Sequence, residues 1–123
     1  MAAPNLMSVS TIYDRTTATN LTSTAATAVL SNAASSNKVL KINTLNVANT
    51  TTTAANISVS WYTAAAIGGT PFALVGTVSV PGNSTLNVID KGSAFYVEEN
   101  QSVGATAGTA NALIVTCSYE DIT

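Results

Sequence analysis

The chain has 123 residues, a length that fits one domain with a single core. Charged residues make up 8% of it, against roughly 25% in average soluble domains, and the net charge is −2. The four basic residues are scattered, which argues against a nucleic-acid partner because phosphate binding needs clustered Lys and Arg. One cysteine excludes an intramolecular disulfide scaffold, and the lack of histidine removes the commonest general base and zinc ligand.

The surface predicted from this composition is neutral, because Thr, Ser, Asn and Ala fill the places that charged residues occupy elsewhere. Hydroxyl and amide groups do little to hold molecules apart, and they pair readily with neighbouring backbones and side chains. The composition therefore favours a protein that works in close contact with other subunits.

The N-terminal sequence from Met1 to Asn5 lacks a cationic region followed by an apolar stretch. No apolar run is long enough to cross a bilayer. We therefore expect a protein that is made and kept in the cytosol, with no signal peptide and no membrane partner.

The first part of the chain predicts three strands. Val9 to Tyr13 and Ala25 to Leu30 are two of them, separated by the polar run from Asp14 to Thr24. The third, Lys38 to Ala48, changes the phase of its apolar alternation near Asn43-Thr44. A one-residue change of phase predicts a β-bulge at that point.

The clearest strand follows, from Ala55 to Thr63, where Ile57, Val59 and Trp61 share one face. The Thr-rich segment before it, from Ala48 to Ala55, is interpreted as a hairpin loop. Each side of this strand is clearly apolar or polar, so one face is expected to lie in the core.

Turn residues divide the rest of the chain into short strands. Gly68-Gly69 predicts a hairpin turn, and Pro81-Gly82-Asn83 predicts a turn because proline fixes its φ and glycine is permissive. The predicted strands around these turns are Phe72 to Val80, Ser84 to Asp90, Ala94 to Val97, Ser102 to Ala107 and Asn111 to Tyr119.

About eight short strands without a helical pattern predict an all-β, antiparallel two-sheet sandwich, either immunoglobulin-like or jelly-roll-like. We expect one domain over residues 1–123, with short N-terminal and C-terminal arms. The alternating apolar positions predict a core that contains Leu40, Ile42, Ile57, Val59, Trp61, Leu74, Val88 and Val115.

The few acidic residues offer little for catalysis or metal binding. Glu98-Glu99 is the densest pair, but neighbours along a strand point to opposite faces, which is poor geometry for an acid and a base. Calcium needs several converging oxygens, and no spaced Asp/Asn loop occurs. Cys117 is in phase with Leu113 and Val115, which favours a buried hydrophobe over a nucleophile. We predict a non-enzyme with no catalytic residues, cofactor or metal.

The aromatic residues allow a different interpretation. Trp61-Tyr62, Phe72 and Phe95-Tyr96 could form a platform on which sugar rings stack, although the phase of Trp61 favours the core. A glycan- or receptor-binding module is therefore the rival hypothesis. It requires exposed tyrosines on one patch, drawn from Tyr62, Tyr96 and Tyr119.

Seven segments, which together span nearly the whole chain, carry a resemblance to a known family: Met1 to Asn5, Leu30 to Ala33, Lys38 to Asn43, Val59 to Tyr62, Leu86 to Lys91, Phe95 to Asn100 and Val115 to Glu120. They resemble segments of the small β-rich virion structural proteins of tailed phages, especially those that infect marine cyanobacteria. Each segment is a predicted strand or a strand with its turn, so the resemblance concerns fold and role and carries no site residues.

This resemblance implies a multi-copy component of the virion, above all a capsid decoration (cement) protein. The alternative is a structural protein associated with the neck, tail or fibre. The implied partners are other virion proteins, namely major capsid or tail proteins, and further copies of the chain in a homo-oligomer. We expect both chain ends to anchor the subunit through apolar residues, and the predicted assembly contacts are Pro4, Leu6, Met7, Tyr119 and Ile122.

Overall fold

In the computed structural model, which describes residues 7–123, the chain forms nine β-strands and a one-turn 3-10 helix at Lys91–Ser93. The strands are β1 (Ile12–Asn20), β2 (Thr27–Asn32), β3 (Val39–Asn49), β4 (Ala55–Ala64), β5 (Gly68–Val80), β6 (Thr85–Ile89), β7 (Phe95–Val97), β8 (Gln101–Ala107) and β9 (Leu113–Ile122). None of the helical structure in these residues is long and apolar enough to span a membrane.

The strands form two antiparallel sheets. Sheet A has the order β1-β9-β3-β6 with β7 also paired to β3, and sheet B has the order β2-β8-β4-β5. β6 and β7 pair with successive parts of the β3 edge that β9 leaves free, so together they act as one interrupted strand. Counted this way, each sheet has four strands in the order of a jelly roll. The predicted antiparallel sandwich is confirmed.

The core lies between the sheets. On β9, Leu113, Val115 and Cys117 are fully buried on the inner face, while the residues between them face outward. Their partners in sheet B include Ile57 and Val59, which are also fully buried. Of the predicted core residues, five are buried as expected: Leu40, Ile42, Ile57, Val59 and Val115.

The other three predicted core residues are less buried. Trp61 and Val88 are partly buried and pack against the core. Leu74 is 42% exposed, so its assignment to the core was wrong. The register of β4 and β5 passes from Val75 to Ala73, which leaves Leu74 as an unpaired bulge residue on the outermost strand of sheet B.

The first strand differs from the prediction. β1 begins at Ile12 and continues to Asn20, through residues that were interpreted as a polar connection. β9 supplies backbone partners along this whole length, from Ile122 opposite Ile12 to Ile114 opposite Asn20. Because β1 is an edge strand with mostly exposed side chains, it forms without an apolar alternation that a sequence pattern could reveal.

The predicted bulge in β3 and the predicted hairpins can be compared with the observed strand pairing. The register of β3 against β9 skips a residue between Ile42 and Thr44, which confirms the predicted bulge. β4 and β5 pair directly, so a hairpin is present, but its turn lies at residues 65–67, and Gly68-Gly69, which were predicted as the turn, begin β5. The Thr-rich segment is not a hairpin, however, because β3 belongs to sheet A and β4 to sheet B, and residues 50–54 cross between the sheets.

Two buried asparagines at strand ends form hydrogen bonds that connect the two sheets. Asn49 on β3 donates from Nδ2 to the carbonyl of Val80 on β5, at 3.0 Å. Asn32 on β2 donates from Nδ2 to the carbonyl of Val97 on β7, at 3.1 Å. Each bond joins sheet A to sheet B, and both asparagines are 2% exposed. These buried amides are therefore satisfied by the backbone and hold the crossover geometry.

The predicted C-terminal arm is instead the end of β9, which runs to Ile122. Thr123 donates its N–H to the carbonyl of Thr11 at 2.9 Å, and its own carbonyl accepts from Ser10 at 2.7 Å. The domain itself therefore holds this end of the chain by strand pairing. The predicted N-terminal arm lies largely outside the described residues.

Candidate functional site: the open edges of the sandwich

Strongly exposed large apolar residues are confined to the edges of the sheets. Within residues 7–123, β1, β5 and β7 carry all of them except one, which precedes β1. They are Met7, Ile12, Tyr13, Phe72, Leu74, Val78 and Tyr96. Single exposed apolar residues are ordinary, but this concentration on edge strands marks the edges as candidate contact surfaces.

The edges lie on two opposite sides of the sandwich. Residues 21–26 join β1 to β2, so these two edges lie together and are called the β1 side. Residues 81–84 join β5 to β6, and β7 continues along the same edge of β3, so these three strands are called the β5 side. Each side therefore presents one edge from each sheet.

The most open edge belongs to β5. It runs for 13 residues, Gly68–Val80, and contains no Asp, Glu, Lys or Arg. Natural proteins protect exposed edges with charges, proline and bulges. β5 has Pro71 and irregular pairing with β4, yet its free edge remains long, neutral and rich in exposed apolar residues. Such an edge is suited to pairing with another strand.

Aromatic side chains line the interior next to this edge. Trp61 and Phe72 are opposite each other in the pairing of β4 and β5, and their ring centroids are 5.8 Å apart with a tilt of 35°. Phe72 is 55% exposed although it lies on the inner face of sheet B. Across the sandwich, Phe95 on β7 is partly buried and lies opposite Ile42 on the inner face of sheet A. The core therefore reaches solvent at the β5 side.

A charged group organises the β1 side. Asp121 is 6% exposed, and its Oδ2 accepts from Nε of Arg15 at 3.1 Å and from Nζ of Lys38 at 3.3 Å. The Arg15 guanidinium also lies 5.4 Å from the ring centre of Tyr13. Tyr13 is 55% exposed, and it lies on the inner face because it is opposite Asp121. The side therefore presents an aromatic ring held by a cation that is itself held by a carboxylate.

The charges on the outer face of sheet A are ordered across the strands. Asp14 on β1 is opposite Glu120 on β9, and Glu120 is opposite Lys41 on β3, with Nζ and Oε2 3.8 Å apart. These residues and Lys91 line a shallow depression of about 550 Å³. The acidic residues thus lie toward the β1 side and the basic ones toward the β5 side.

A smaller cleft of about 270 Å³ lies beside Asp121 and is lined partly by Tyr119 and Lys38. Burial raises the pKa of Tyr119, and the nearby Arg15 opposes this effect. Oδ1 of Asp121 has no hydrogen-bond partner. Within residues 7–123, no group of three or more acidic, cysteine or histidine residues is arranged to hold a metal ion.

The predicted assembly contacts that lie within residues 7–123 differ in their exposure. Pro4 and Leu6 lie outside the described residues. Met7 is 94% exposed, Tyr119 is partly buried on the inner face of sheet A, and Ile122 is 5% exposed between β1 and β3. Ile122 is therefore enclosed by its own domain. The sequence interpretation did not identify β5 as a candidate contact surface, although its long stretch without charged residues was visible in the sequence.

The residues that were considered as candidates for catalysis, Cys117, Glu98 and Glu99, lie in different parts of the fold. Cys117 is fully buried, and burial raises the pKa of its thiol to about 12, so the thiol is protonated at neutral pH. Glu98 and Glu99 lie in the connection between β7 and β8, where Glu98 is exposed and Glu99 is partly buried. Cys117 lies in the hydrophobic core cluster and behaves as a small core hydrophobe.

The tyrosines that a glycan platform would require are also separated. Tyr62 is opposite Ser102 on the outer face of sheet B, whereas Tyr96 is opposite Lys41 on the outer face of sheet A. Tyr119 lies on the inner face of sheet A, opposite Ile42. These three rings therefore do not share a patch.

No known family model matches the sequence, and no curated protein matches it. Among solved structures, the chain is similar to a protein of the Bacillus endospore appendages, described as a novel family of disulfide-linked pili. The two chains are 17% identical and superpose with a TM-score of 0.53, over 92% of this chain and 88% of the other. At this identity the likeness supports the sandwich fold alone.

Proposed function

We propose that this protein is a non-enzymatic structural subunit of a tailed-phage virion, present in many copies and acting as a capsid decoration protein. The observation that carries the structural role is the confinement of exposed apolar residues to open, weakly charged sheet edges. Such edges gain most when another chain covers them. The virion as the setting rests on the resemblance of the strand segments to phage structural proteins.

The surface chemistry supports a role in close packing. Of the five edge strands that the structure describes, β1 carries charged residues, whereas β2, β5, β6 and β7 carry none. Charged residues make up 8% of the chain, so neighbouring copies meet little electrostatic repulsion. Apolar edges and a neutral surface together favour association with other subunits over the monomeric state.

The test uses purified protein and phage particles from which the protein has been removed. A decoration protein is expected to rebind to emptied capsids at a fixed number of copies per capsid, and not to isolated tails. Binding to necks, tails or fibres instead would support the alternative position in the virion. A protein that stays monomeric at high concentration and binds no part of the particle would contradict the proposal.

A second candidate is a subunit of a filament outside the virion. It is favoured by one observation, the similarity in fold to a protein described as forming pili. Electron microscopy of the purified protein distinguishes the two candidates. Regular filaments formed without any phage component would favour the second candidate, whereas ordered binding only to phage particles would favour the first.

A further inference from the structure

We infer that copies of this protein join head to tail, with the β5 side of one copy against the β1 side of the next, so that both sheets continue from copy to copy. This inference rests on the proposed function, since it names the surfaces through which the subunits meet. Its partner is a second copy of the same chain, and the contact is heterologous.

The strand directions at the open edges suit antiparallel pairing between copies. In sheet B the directions alternate along β2, β8, β4 and β5, so β5 runs opposite to β2. A second copy that is placed beside the first, and turned so as to follow the twist of the sheet, therefore places its β2 antiparallel to β5. The same holds in sheet A for β1 against β6 and β7. One such placement thus extends both sheets with the pairing type that they already use.

The chemistry of the β2 and β5 edges also favours their pairing. Within residues 7–123, β2 and β5 each pair with a strand on one side alone, and neither carries a charged side chain, so their approach buries no unpaired charge. Added main-chain hydrogen bonds are the usual source of affinity in such strand addition. Because the two sheets are about 10 Å apart, pairing in both of them makes a contact as deep as the sandwich.

Exposed aromatic residues lie on the inner faces at both sides of the sandwich. Phe72 on the β5 side and Tyr13 on the β1 side are each 55% exposed. Both lie on the inner faces of edge strands, beside the ends of the core. Joining the two sides therefore continues the core from one copy into the next, with Tyr13 entering beside Trp61 and Phe72. Buried tyrosine and tryptophan residues dominate many interfaces between proteins.

The order of charges on the outer face of sheet A also favours a head-to-tail contact. On the outer face of sheet A, Asp14 lies at the β1 side, while Lys91 lies at the edge of the β5 side. A head-to-tail contact brings Asp14 of one copy toward Lys91 of the next. A two-fold contact through β1 in the register that pairs Asp14 with its own copy would instead bring like charges together, which is unfavourable. The charge order therefore favours head-to-tail joining over that symmetric contact.

Cysteine crosslinking tests the geometry on the assembled full-length protein. Ala73→Cys marks the β5 edge and Ala28→Cys marks the β2 edge, both on the outer face of sheet B and at the same level along the strands, while native Cys117 is buried and does not react. We expect a bismaleimide to link Ala73→Cys to Ala28→Cys in a mixture and to produce a ladder of oligomers from the double variant. Asn56→Cys, exposed on the central strand β4, is the control and should give no crosslink.

Each other result overturns the inference in a recognisable way. Crosslinking of Ala73→Cys to itself would show a two-fold contact, and an absence of crosslinks in protein that still binds particles would place the interface elsewhere. In both cases the proposed function survives. Loss of both particle binding and self-association in the unmodified protein would instead defeat the proposed function. Crosslinks that are absent in the full-length protein and form only after deletion of residues 1–6 would make that segment the occupant of the edge.

Charge placed in the continued core gives a second measurement. Phe72→Glu should weaken self-association by at least tenfold while the far-ultraviolet circular dichroism stays that of the folded domain. Tyr62→Glu, on the outer face of sheet B, is the matched control and should leave self-association within twofold. Equal weakening by both variants, or by neither, would show that the β5 side does not form the contact.

Discussion

β9 and β5 are both long strands rich in apolar residues, yet they have opposite surroundings. β9 lies between β1 and β3, and its inner residues Leu113 and Val115 are fully buried. β5 has a neighbour on one side alone, and Phe72 and Leu74 are 55% and 42% exposed. The same kind of sequence therefore forms the core at the centre of a sheet and a candidate contact surface at its edge.

This contrast separates stability from assembly. A buried apolar residue contributes to folding of the single chain, because its transfer from water and its packing are complete within the domain. An exposed apolar residue on an open edge contributes little until another chain covers it. Substitutions on β9 should therefore change the free energy of unfolding, whereas substitutions on β5 should change association.

The largest expected effect tests this contrast directly. Leu113→Ala should lower the free energy of unfolding by about 2–5 kcal/mol, because it leaves a cavity among fully buried neighbours. Leu74→Ala is the matched control and should change it by about 0.5 kcal/mol or less. Urea denaturation of the monomer measures both. A similar loss in the two variants would mean that β5 is as buried as β9.

Trp61 lies between these extremes, because it packs against the core but is only partly buried. Trp61→Ala should lower the free energy of unfolding by about 2–3 kcal/mol, below the roughly 3–5 kcal/mol of fully buried aromatics. Phe72→Ala, which removes the neighbouring and more exposed ring, should cost about 1 kcal/mol. Circular dichroism in urea follows both variants, and a larger loss for Phe72→Ala would reverse the assigned burial.

The buried thiol makes the core sensitive to alkaline pH. The pKa of Cys117 is about 12 in the folded chain, against an ordinary value of 9.0. Between these values the unfolded chain loses the proton and the folded chain keeps it, so the free energy of unfolding falls as pH rises. The slope from this group is at most about 1.4 kcal/mol per pH unit.

Cys117→Val isolates that contribution, because valine is a buried hydrophobe without a titrating group. The difference between wild type and variant should be constant below pH 8 and should shrink or change sign from about pH 9 to 12. Denaturation series at each pH measure it. A difference that stays constant through this range would show that the thiol is open to solvent.

The smallest effects come from two glycines in unlike places. A Cβ on Gly104 of the central strand β8 would lie 2.6 Å from Cγ2 of Ile67 and 3.0 Å from Cε1 of Tyr62, so Gly104→Ala should cost about 1–2 kcal/mol. A Cβ on Gly76 of β5 would meet nothing within 4 Å. Gly76→Ala should therefore be neutral or stabilise by about 0.4–1 kcal/mol through the unfolded state. Thermal melts rank the pair, and the reverse order would contradict the open edge.

Much of the candidate site escaped prediction for a local reason. The exposed character of β5 depends on which strands lie beside it, and a sequence shows alternation without showing whether a second neighbour exists. Tyr13, Arg15 and Asp121 come together only because β1 pairs with β9, which is about 100 residues away in the chain. Nothing near any of these residues in sequence indicates that contact.

The sequence by itself determined the class of structure and the local features of its strands. β-branched alternation, turn residues and one change of phase predicted the all-β sandwich, the β4–β5 hairpin and the bulge in β3, because these depend on neighbours along the chain. Tertiary structure decided the rest: that β1 forms from polar residues, that β9 runs to Ile122, and that β5 is an edge. Those outcomes depend on pairing between distant segments, whose strand order follows from burying one common core.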